Sequence, residues 1–289
     1  MTEKQGESSQ LANCDHIPII DLSTLDSPHL EERQQLAQSI YDNHGIPDEM
    51  VKEIHNAAER FFGLPEEQKM TFYIGNSPKF RGYSPLGSEK STGTDDDPIA
   101  PEDAVSALSE AFDIGYETAM DNQKSKTDPL PRDPYQLYGD NQWPDQDTLP
   151  GFSRTYIEYC SLVLGLCRKM MRIFALALDL PEGHFDSMVQ DPGVTSRMMH
   201  YPPQPVKEEV REGLGAHTDY ECFTILSQGS VPGLQERYSI PFFFGVDYDA
   251  TISVLPNHIT NERPACTEPF KAGEWVREKL SKAYVGYEG

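Results

Sequence analysis

The sequence lacks clusters of basic residues and long hydrophobic runs. Its 289 residues include 24 Lys and Arg against 47 Asp and Glu, which gives a net charge of −23. Such a surface repels nucleic acid and anionic membranes, so we expect neither as a partner. No apolar run approaches the length of a membrane span, and residues 1–14 are polar, without the apolar core of a secretory signal. We therefore expect a soluble, cytoplasmic protein whose residues 1–14 are disordered.

Cysteines are few and scattered along the chain. The five are Cys14, Cys160, Cys167, Cys222 and Cys266, and no two of them form a Cys-x-x-Cys pair. An odd, unpatterned set is typical of free thiols in a reducing compartment, which also favours the cytoplasm.

Helical patterns occupy much of the first two thirds of the chain. A helical stretch is predicted around Leu30–Tyr41, and an apolar face predicts a helix from Asp48 to Phe62. The strongest pattern runs from about Gly151 to Leu178, with apolar residues three or four positions apart. Residues 75–105 are rich in Gly, Pro, Ser and Asp and are predicted to form a loop.

Strand-like segments dominate after residue 195. One short strand is predicted early in the chain and four late, at His16–Leu22, Arg197–Tyr201, Gly215–Asp219, Phe223–Leu226 and Tyr238–Phe244. Helices followed by strands indicate an α+β fold, with an antiparallel sheet that carries the site.

One His-x-Asp triplet has the pattern of a metal site. His217 and Asp219 are two residues apart in a predicted strand, so their side chains should point to the same side. They supply two of the three ligands of the 2-His-1-carboxylate arrangement that holds catalytic Fe(II). A second triplet, His184 to Asp186, lies at a predicted helix start, where Asp186 is interpreted as a surface or capping residue.

A possible carboxylate-binding pair follows the triplet. Arg237 and Ser239 are also two residues apart in a predicted strand, so a guanidinium and a hydroxyl should face the same way. A guanidinium fork with one extra donor suits a carboxylate ligand. Without the metal motif nearby, a surface Arg and a core-edge Ser would be the simpler interpretation.

Several short motifs occur in an order that resembles a known family. They are Ile17–Asp21, Asn43–Pro47, Phe61–Lys69, Arg81–Tyr83, Asn141–Pro144, Pro150–Phe152, His200–Pro203, the His217–Asp219 triplet and Pro232–Gln235. In this order the chain resembles the Fe(II)/2-oxoglutarate-dependent dioxygenase superfamily, in its isopenicillin N synthase-like branch.

The resemblance implies a distorted double-stranded β-helix, or jelly roll, flanked by helices. Residues 15–120 would form a helix-rich N-terminal dioxygenase region, and residues 121–289 the long helix and the jelly-roll domain. Fe(II) would be held by His217 and Asp219, and 2-oxoglutarate by Arg237, Ser239 and Tyr201. O₂ would be the oxidant and ascorbate a reductant. The expected reaction hydroxylates or desaturates a small molecule of secondary metabolism, releasing succinate and CO₂.

The sequence departs from the family pattern at two junctions. Between Gln235 and Glu236 the family has several further strands, the last of which carries the second iron-binding His. Here residues 220–236, 17 in number, are all that separate Asp219 from Arg237, too few for a turn and those strands. The strand that precedes Asn43 in the family is also missing after Tyr41. We therefore expect an incomplete jelly roll, truncated between Gln235 and Glu236.

No other histidine is a good substitute for the missing ligand. His258 follows a Pro-Asn pair in a predicted surface loop and is a weak candidate. His200 should point away from Tyr201 across its strand; it could line the pocket but is a poor ligand candidate. Two alternatives stay open beside an active oxygenase. One is a catalytically impaired splice or gene-model variant, and the other is an isopenicillin N synthase-like oxidase that does not use 2-oxoglutarate.

Overall fold

The computed structural model describes most of the chain after residue 43. The described residues are 29, 31–32, 35, 44–88, 108–125, 128–203, 217–229, 236–262 and 264–283. The chain divides into two compact units, Met1–Gly45 and Ile46–Gly289. The division into regions 15–120 and 121–289 stays a prediction.

Few of the predictions for the first unit fall on described residues. Residues 31, 32 and 35 are helical, within the predicted helix Leu30–Tyr41. The N-terminal residues 1–14, the predicted strand His16–Leu22 and the junction between Tyr41 and Asn43 lie outside the described residues.

A five-stranded antiparallel sheet is the centre of the second unit. Its strands in spatial order are β1 (Gly82–Ser84), β2 (Glu110–Gly115), β3 (Pro192–Tyr201), β5 (Arg237–Asp247) and β4 (Phe223–Gln228). β4 and β5 pair directly with each other, Phe223 opposite Phe244 and Gln228 opposite Ser239. Apart from this sheet, the described residues form only the short antiparallel pair β6 (Thr251–Ile252) and β7 (Phe270–Lys271).

Helices from early, middle and late parts of the second unit's sequence flank the sheet. They are α1 (Asp48–Phe62), α2 (Glu66–Lys69), α3 (Phe152–Ala177) and α4 (Ala272–Ala283). Single 3₁₀ turns occur at Met70–Phe72, Ile74–Asn76, Thr118–Met120, Asp186–Met188 and Pro256–His258. The predicted helices α1 and α3 are confirmed, because each has an apolar stripe long enough to pack along its whole length. None of the helices in the described part of the chain combines the length and the apolar character needed to cross a bilayer.

The core lies between α1, α3 and one face of the sheet. Phe61 of α1 packs against Phe112 of β2 and Phe152 of α3, with ring centroids 4.5 and 5.5 Å apart. All three rings are fully buried. Such aromatic contacts add to the hydrophobic term and fix how the helices sit on the sheet. From β5, Phe242 and Phe244 point to the same core.

The predicted α+β fold, with an antiparallel sheet flanked by helices, is confirmed, but two local predictions are wrong. The strand expected at Gly215–Asp219 is absent at residues 217–219, which are irregular. β1 lies inside the segment 75–105, for which the composition predicts a loop. Its three residues are too few to show a period-two pattern, so only pairing with β2 defines it as a strand.

Candidate active site

A cavity of about 340 Å³ opens on the face of the sheet opposite α1 and α3. Its floor is made by alternate residues of neighbouring strands, because every second side chain of a strand points to the same face. These include Met199 and Tyr201 of β3, Arg237 and Ser239 of β5, and Leu226 of β4.

His217 and Asp219 line this cavity together. Although they do not lie in a strand, His217 Nε2 is 3.5 Å from Asp219 Oδ1. The hydroxyl of Thr224, at the start of β4, donates a hydrogen bond to the other carboxylate oxygen of Asp219. The hydrogen bond from His217, and then that from Thr224, lower the pKa of Asp219. The carboxylate is therefore ionised at neutral pH, as a metal ligand requires.

The carboxylate-binding candidates occupy adjacent positions on β3 and β5. Arg237 is the direct partner of Tyr201 across the two strands, and Ser239 is the partner of Met199. The guanidinium carbon of Arg237 lies 4.0 Å from the centroid of the Tyr201 ring. Stacking on an aromatic face holds a guanidinium in place while its N–H groups stay available. The structure thus brings Tyr201, Arg237 and Ser239 to one part of the cavity.

The donor set fits iron in type but supplies only two ligands. An imidazole and a carboxylate are two of the three groups of the facial arrangement that binds Fe(II). Among the described residues, no group of three His, Cys, Asp or Glu side chains could hold a metal ion. His217 and Asp219 would therefore hold the ion alone within this part of the chain. For 2-oxoglutarate, Arg237 and Ser239 supply donors suited to its distal carboxylate.

His200 takes no part in the cavity, which corrects the expectation that it could line it. Its Nδ1 lies 2.7 Å from Glu110 Oε1, and its Nε2 lies 3.0 Å from Glu236 Oε1. Its ring stacks on that of Tyr238, with centroids 4.9 Å apart. Neighbouring residues of a strand point to opposite faces of the sheet. His200 therefore points to the core, whereas Tyr201 points to the cavity. The backbone of His258, the weak candidate, ends a 3₁₀ turn, and its role as a ligand stays a prediction.

The cavity contains charged residues that sequence reasoning did not assign to it. Arg197 and Asp113, both buried, form two hydrogen bonds of 2.8 and 3.1 Å on its floor. Arg81 and Glu221 also line it. Burial, and to a smaller extent the charge of Asp219, raise the pKa of Glu221 to about 8, while Arg81 opposes the shift. The available signal was the continuation of the two-residue spacing from His217 through Asp219 to Glu221.

Sequence comparisons agree with the motifs. Residues 17–146 match the family described as non-haem dioxygenase in morphine synthesis, N-terminal. The 2-oxoglutarate-Fe(II) type oxidoreductase hxnY of Emericella nidulans is 29% identical, covering 92% of this chain and 90% of its own length. The oxidoreductase of the same type, ppzC, from Metarhizium majus is 31% identical, covering 76% of this chain and 62% of its own length.

Solved structures share the fold. A full-length Neurospora crassa protein in complex with alpha-KG and thymine has a TM-score of 0.64 at 22% identity, covering 93% of this chain and 97% of that one. A putative 2OG-Fe(II) oxygenase family protein from Caulobacter crescentus has the same TM-score and identity, covering 82% of this chain and 87% of that one. In sequence the chain is therefore similar to 2-oxoglutarate-Fe(II) type oxidoreductases, and it shares its fold with a putative 2OG-Fe(II) oxygenase family protein.

Proposed function

We propose that the protein is an Fe(II)- and 2-oxoglutarate-dependent oxygenase that oxidises a small molecule. One observation carries the proposal: a single cavity is lined both by the His217–Asp219 pair and by the Arg237–Ser239 pair. The names of the relatives support the same chemistry. A volume of about 340 Å³ suits a small molecule rather than a polymer.

The residues of this chain have separate roles in the proposed reaction. Arg237 would bind the distal carboxylate of 2-oxoglutarate through two N–H groups, with Ser239 as a third donor, and the Tyr201 ring would fix the guanidinium. His217 and Asp219 would hold Fe(II), which supplies the O₂ chemistry that yields succinate and CO₂ when it is bound. The apolar floor around Leu226 and Phe243 would exclude water from the substrate.

The test is an anaerobic titration of the full chain with Fe(II) and 2-oxoglutarate. We expect the metal-to-ligand absorption band that reports chelation of the metal by 2-oxoglutarate. On admission of O₂, we expect succinate even without the substrate. His217→Ala should abolish the band, whereas Arg237→Ala should shift its formation to higher 2-oxoglutarate concentration. Absence of both band and succinate in the wild-type chain would contradict the proposal.

A second candidate is a form of such an enzyme that binds the co-substrate without turnover. The observation in its favour is the lack of a third His, Cys, Asp or Glu ligand among the described residues. The alignment with the Emericella nidulans relative runs over 337 residues, yet 92% of the 289 residues here amounts to about 266. A relative with many additional internal positions supports loss of a segment, for which we propose the junction of Gln235 and Glu236. An absorption band without succinate would favour this candidate.

The other expectations from composition remain part of the proposal. The net charge of −23 supports the absence of nucleic-acid and membrane partners. The scattered, unpatterned cysteines support a cytoplasmic location. The class of metabolism to which the substrate belongs stays a prediction from the resemblance.

A further inference from the structure

We propose that Arg81 and Glu221 form a recognition site for a neutral amide group of the substrate, beside His217 and Asp219. The inference rests on the proposed function, because it describes how the same cavity would select its substrate. It concerns two residues that belong to neither the iron pair nor the 2-oxoglutarate pair.

Glu221, which lines the cavity, has an unused carboxyl group at the cavity wall. Both of its carboxyl oxygens are shielded from solvent and have no hydrogen-bond partner in the described structure. The carboxyl group lies over Gly245 of β5, where an added Cβ would come within 3.1 Å of Glu221 Cδ and Oε1. Because residue 245 is a glycine, there is room for the Glu221 carboxyl group against the sheet.

Arg81 is held in a similar way on the neighbouring part of the sheet. Its side chain is 2% exposed, and an added Cβ on Gly115 of β2 would come within 2.2 Å of Arg81 Nε. One end of the guanidinium donates a hydrogen bond of 3.0 Å to the carbonyl of Leu137. The Nε–H group is buried without a partner among the described residues. Arg81 therefore keeps one donor unused next to the cavity that it lines.

The Arg81 guanidinium and the Glu221 carboxyl group are near neighbours but do not form a hydrogen bond with each other. Their charges interact, yet within the described structure no hydrogen bond or ion pair within 4.0 Å joins them. A buried polar group without a partner is unfavourable, and most such groups in proteins are satisfied. A ligand that supplies both a donor and an acceptor would remove the cost for both residues at once.

The charges in this part of the cavity select the kind of ligand. An anionic group attracted by Arg81 would be repelled by Asp219, and a cationic group attracted by Asp219 would be repelled by Arg81, so neither charge is favoured. A neutral group with adjacent N–H and C=O can donate to the Glu221 carboxyl and accept from Arg81 Nε–H. Primary carboxamides and ring lactams have this arrangement. A ketone or an ether lacks the donor and would leave the acceptor oxygen of the Glu221 carboxyl group unsatisfied.

The experiment measures binding of a minimal probe to the full chain by saturation-transfer NMR. The probe is the lactam 2-piperidinone, and the matched molecules are cyclohexanone, which only accepts, and piperidinium, which is charged. We expect binding of the lactam at least tenfold tighter than that of either match. Equal affinity for lactam and cyclohexanone would overturn the inference.

Two variants act on the site in different ways. Glu221→Leu removes the acceptor and leaves an apolar side chain of similar size. This change should not destabilise the protein, because the Glu221 carboxyl group makes no hydrogen bond in the described structure. Gly245→Ala keeps Glu221 but displaces its carboxyl group. Both should weaken lactam binding at least tenfold. Gly165→Ala on α3, where an added Cβ meets nothing within 4 Å, is the matched glycine control and should have no effect.

A separate measurement distinguishes failure of this inference from failure of the proposed function. Binding of 2-oxoglutarate to the same variants is followed by calorimetry, and it should persist in Glu221→Leu because Arg237 and Ser239 are unchanged. Lactam affinity that is unaffected in Glu221→Leu would overturn the recognition site even if 2-oxoglutarate binds normally. A wild-type chain that binds lactam but not 2-oxoglutarate would contradict the proposed function and leave the amide site standing.

Discussion

Tyr201 and Arg237 face each other across β3 and β5, with the guanidinium carbon 4.0 Å from the centre of the ring. A cation–π contact of this kind contributes about 0.5–2 kcal/mol, according to how far it is desolvated. We expect Tyr201→Leu to weaken 2-oxoglutarate binding by roughly 3- to 20-fold, because the guanidinium loses its support. Tyr201→Phe keeps the ring and should stay within about twofold of wild type. Calorimetric titration with 2-oxoglutarate measures both variants.

Arg237→Lys shows how much of the affinity for 2-oxoglutarate comes from the guanidinium itself, for comparison with the loss of the Tyr201 ring. Lysine keeps the charge but loses the planar fork that binds a carboxylate through two N–H groups. We expect a loss of affinity of about tenfold or more, larger than the loss in Tyr201→Leu. If Tyr201→Phe and Tyr201→Leu lose affinity equally, the hydroxyl rather than the ring is the important group.

A second prediction concerns stability and compares two ion pairs on α3. Arg168 makes two hydrogen bonds of 2.7 Å to the buried Asp121, which also accepts one from Tyr116. Arg172, one turn later, makes a similar pair with Asp186, but both side chains are about half exposed. Arg168→Ala should lower the free energy of unfolding by about 3–5 kcal/mol, because it leaves an uncompensated buried charge. Arg172→Ala should lower it by less than about 1 kcal/mol.

Urea denaturation of the two variants provides the measurement. Both variants replace Arg by Ala in the interior of the same helix, so the change in helix propensity cancels in the comparison. Equal losses in Arg168→Ala and Arg172→Ala would show that burial of Asp121 does not decide the strength of its ion pair.

Much of the fold could be predicted from periodicity because packing is regular there. α3 shows an apolar stripe over its whole length, and the sequence prediction differs from the observed bounds, Phe152–Ala177, by one residue at each end. β1 could not be predicted, because three residues pair with β2 without a pattern of their own. The strand expected at His217 and Asp219 was also wrong. The alternation that suggested it continues to Glu221, but the backbone becomes regular only at Phe223.

The sequence predicted which of the candidate site residues lie together, whereas their roles in binding iron and 2-oxoglutarate stay a prediction. Spacing alone indicated that His217 would meet Asp219, and that Arg237 and Ser239 would share a face. Arg81 had no signal in the sequence, and the spacing that continues to Glu221 did not show where its carboxyl group lies. Both positions depend on glycines, Gly115 and Gly245, on strands distant in sequence. Local pattern carries no information about which glycine leaves room for which side chain.

A third prediction concerns pH and Asp247, at the end of β5. Burial, and the nearby charge of Asp191, raise the pKa of Asp247 to about 6, from an ordinary 3.8. Between these values the folded protein keeps a proton that the unfolded chain has lost. Stability should therefore fall as the pH rises from about 4 to about 6, and this contribution should level off above pH 6. The decrease in the free energy of unfolding due to Asp247 should be about 1–2 kcal/mol after allowance for solvent screening.

Asp247→Asn should remove this fall and make the protein more stable than wild type above pH 6. The amide oxygen of Asn can still accept the hydrogen bond of 2.8 Å that the Asp191 N–H now donates to Asp247. Asp249→Asn, on an exposed neighbour whose charge adds least to the raised pKa of Asp247, should reduce the fall only slightly. Melting temperatures between pH 4 and 8 give the result. Parallel wild-type and Asp247→Asn profiles would mean that Asp247 titrates normally.

The last prediction concerns the incomplete metal site. With two protein ligands, His217 and Asp219, we expect Fe(II) to be bound weakly and to be removed readily by a chelator. His217→Ala should abolish specific binding, because a single carboxylate remains. His258→Ala should leave binding unchanged, since the sequence makes His258 only a weak candidate ligand in a predicted surface loop. Anaerobic equilibrium dialysis against Fe(II) with added 2-oxoglutarate measures all three proteins. Binding that is lost in His258→Ala and kept in His217→Ala would assign the metal to another site, and would remove the main reason for placing the chemistry near the start of β4.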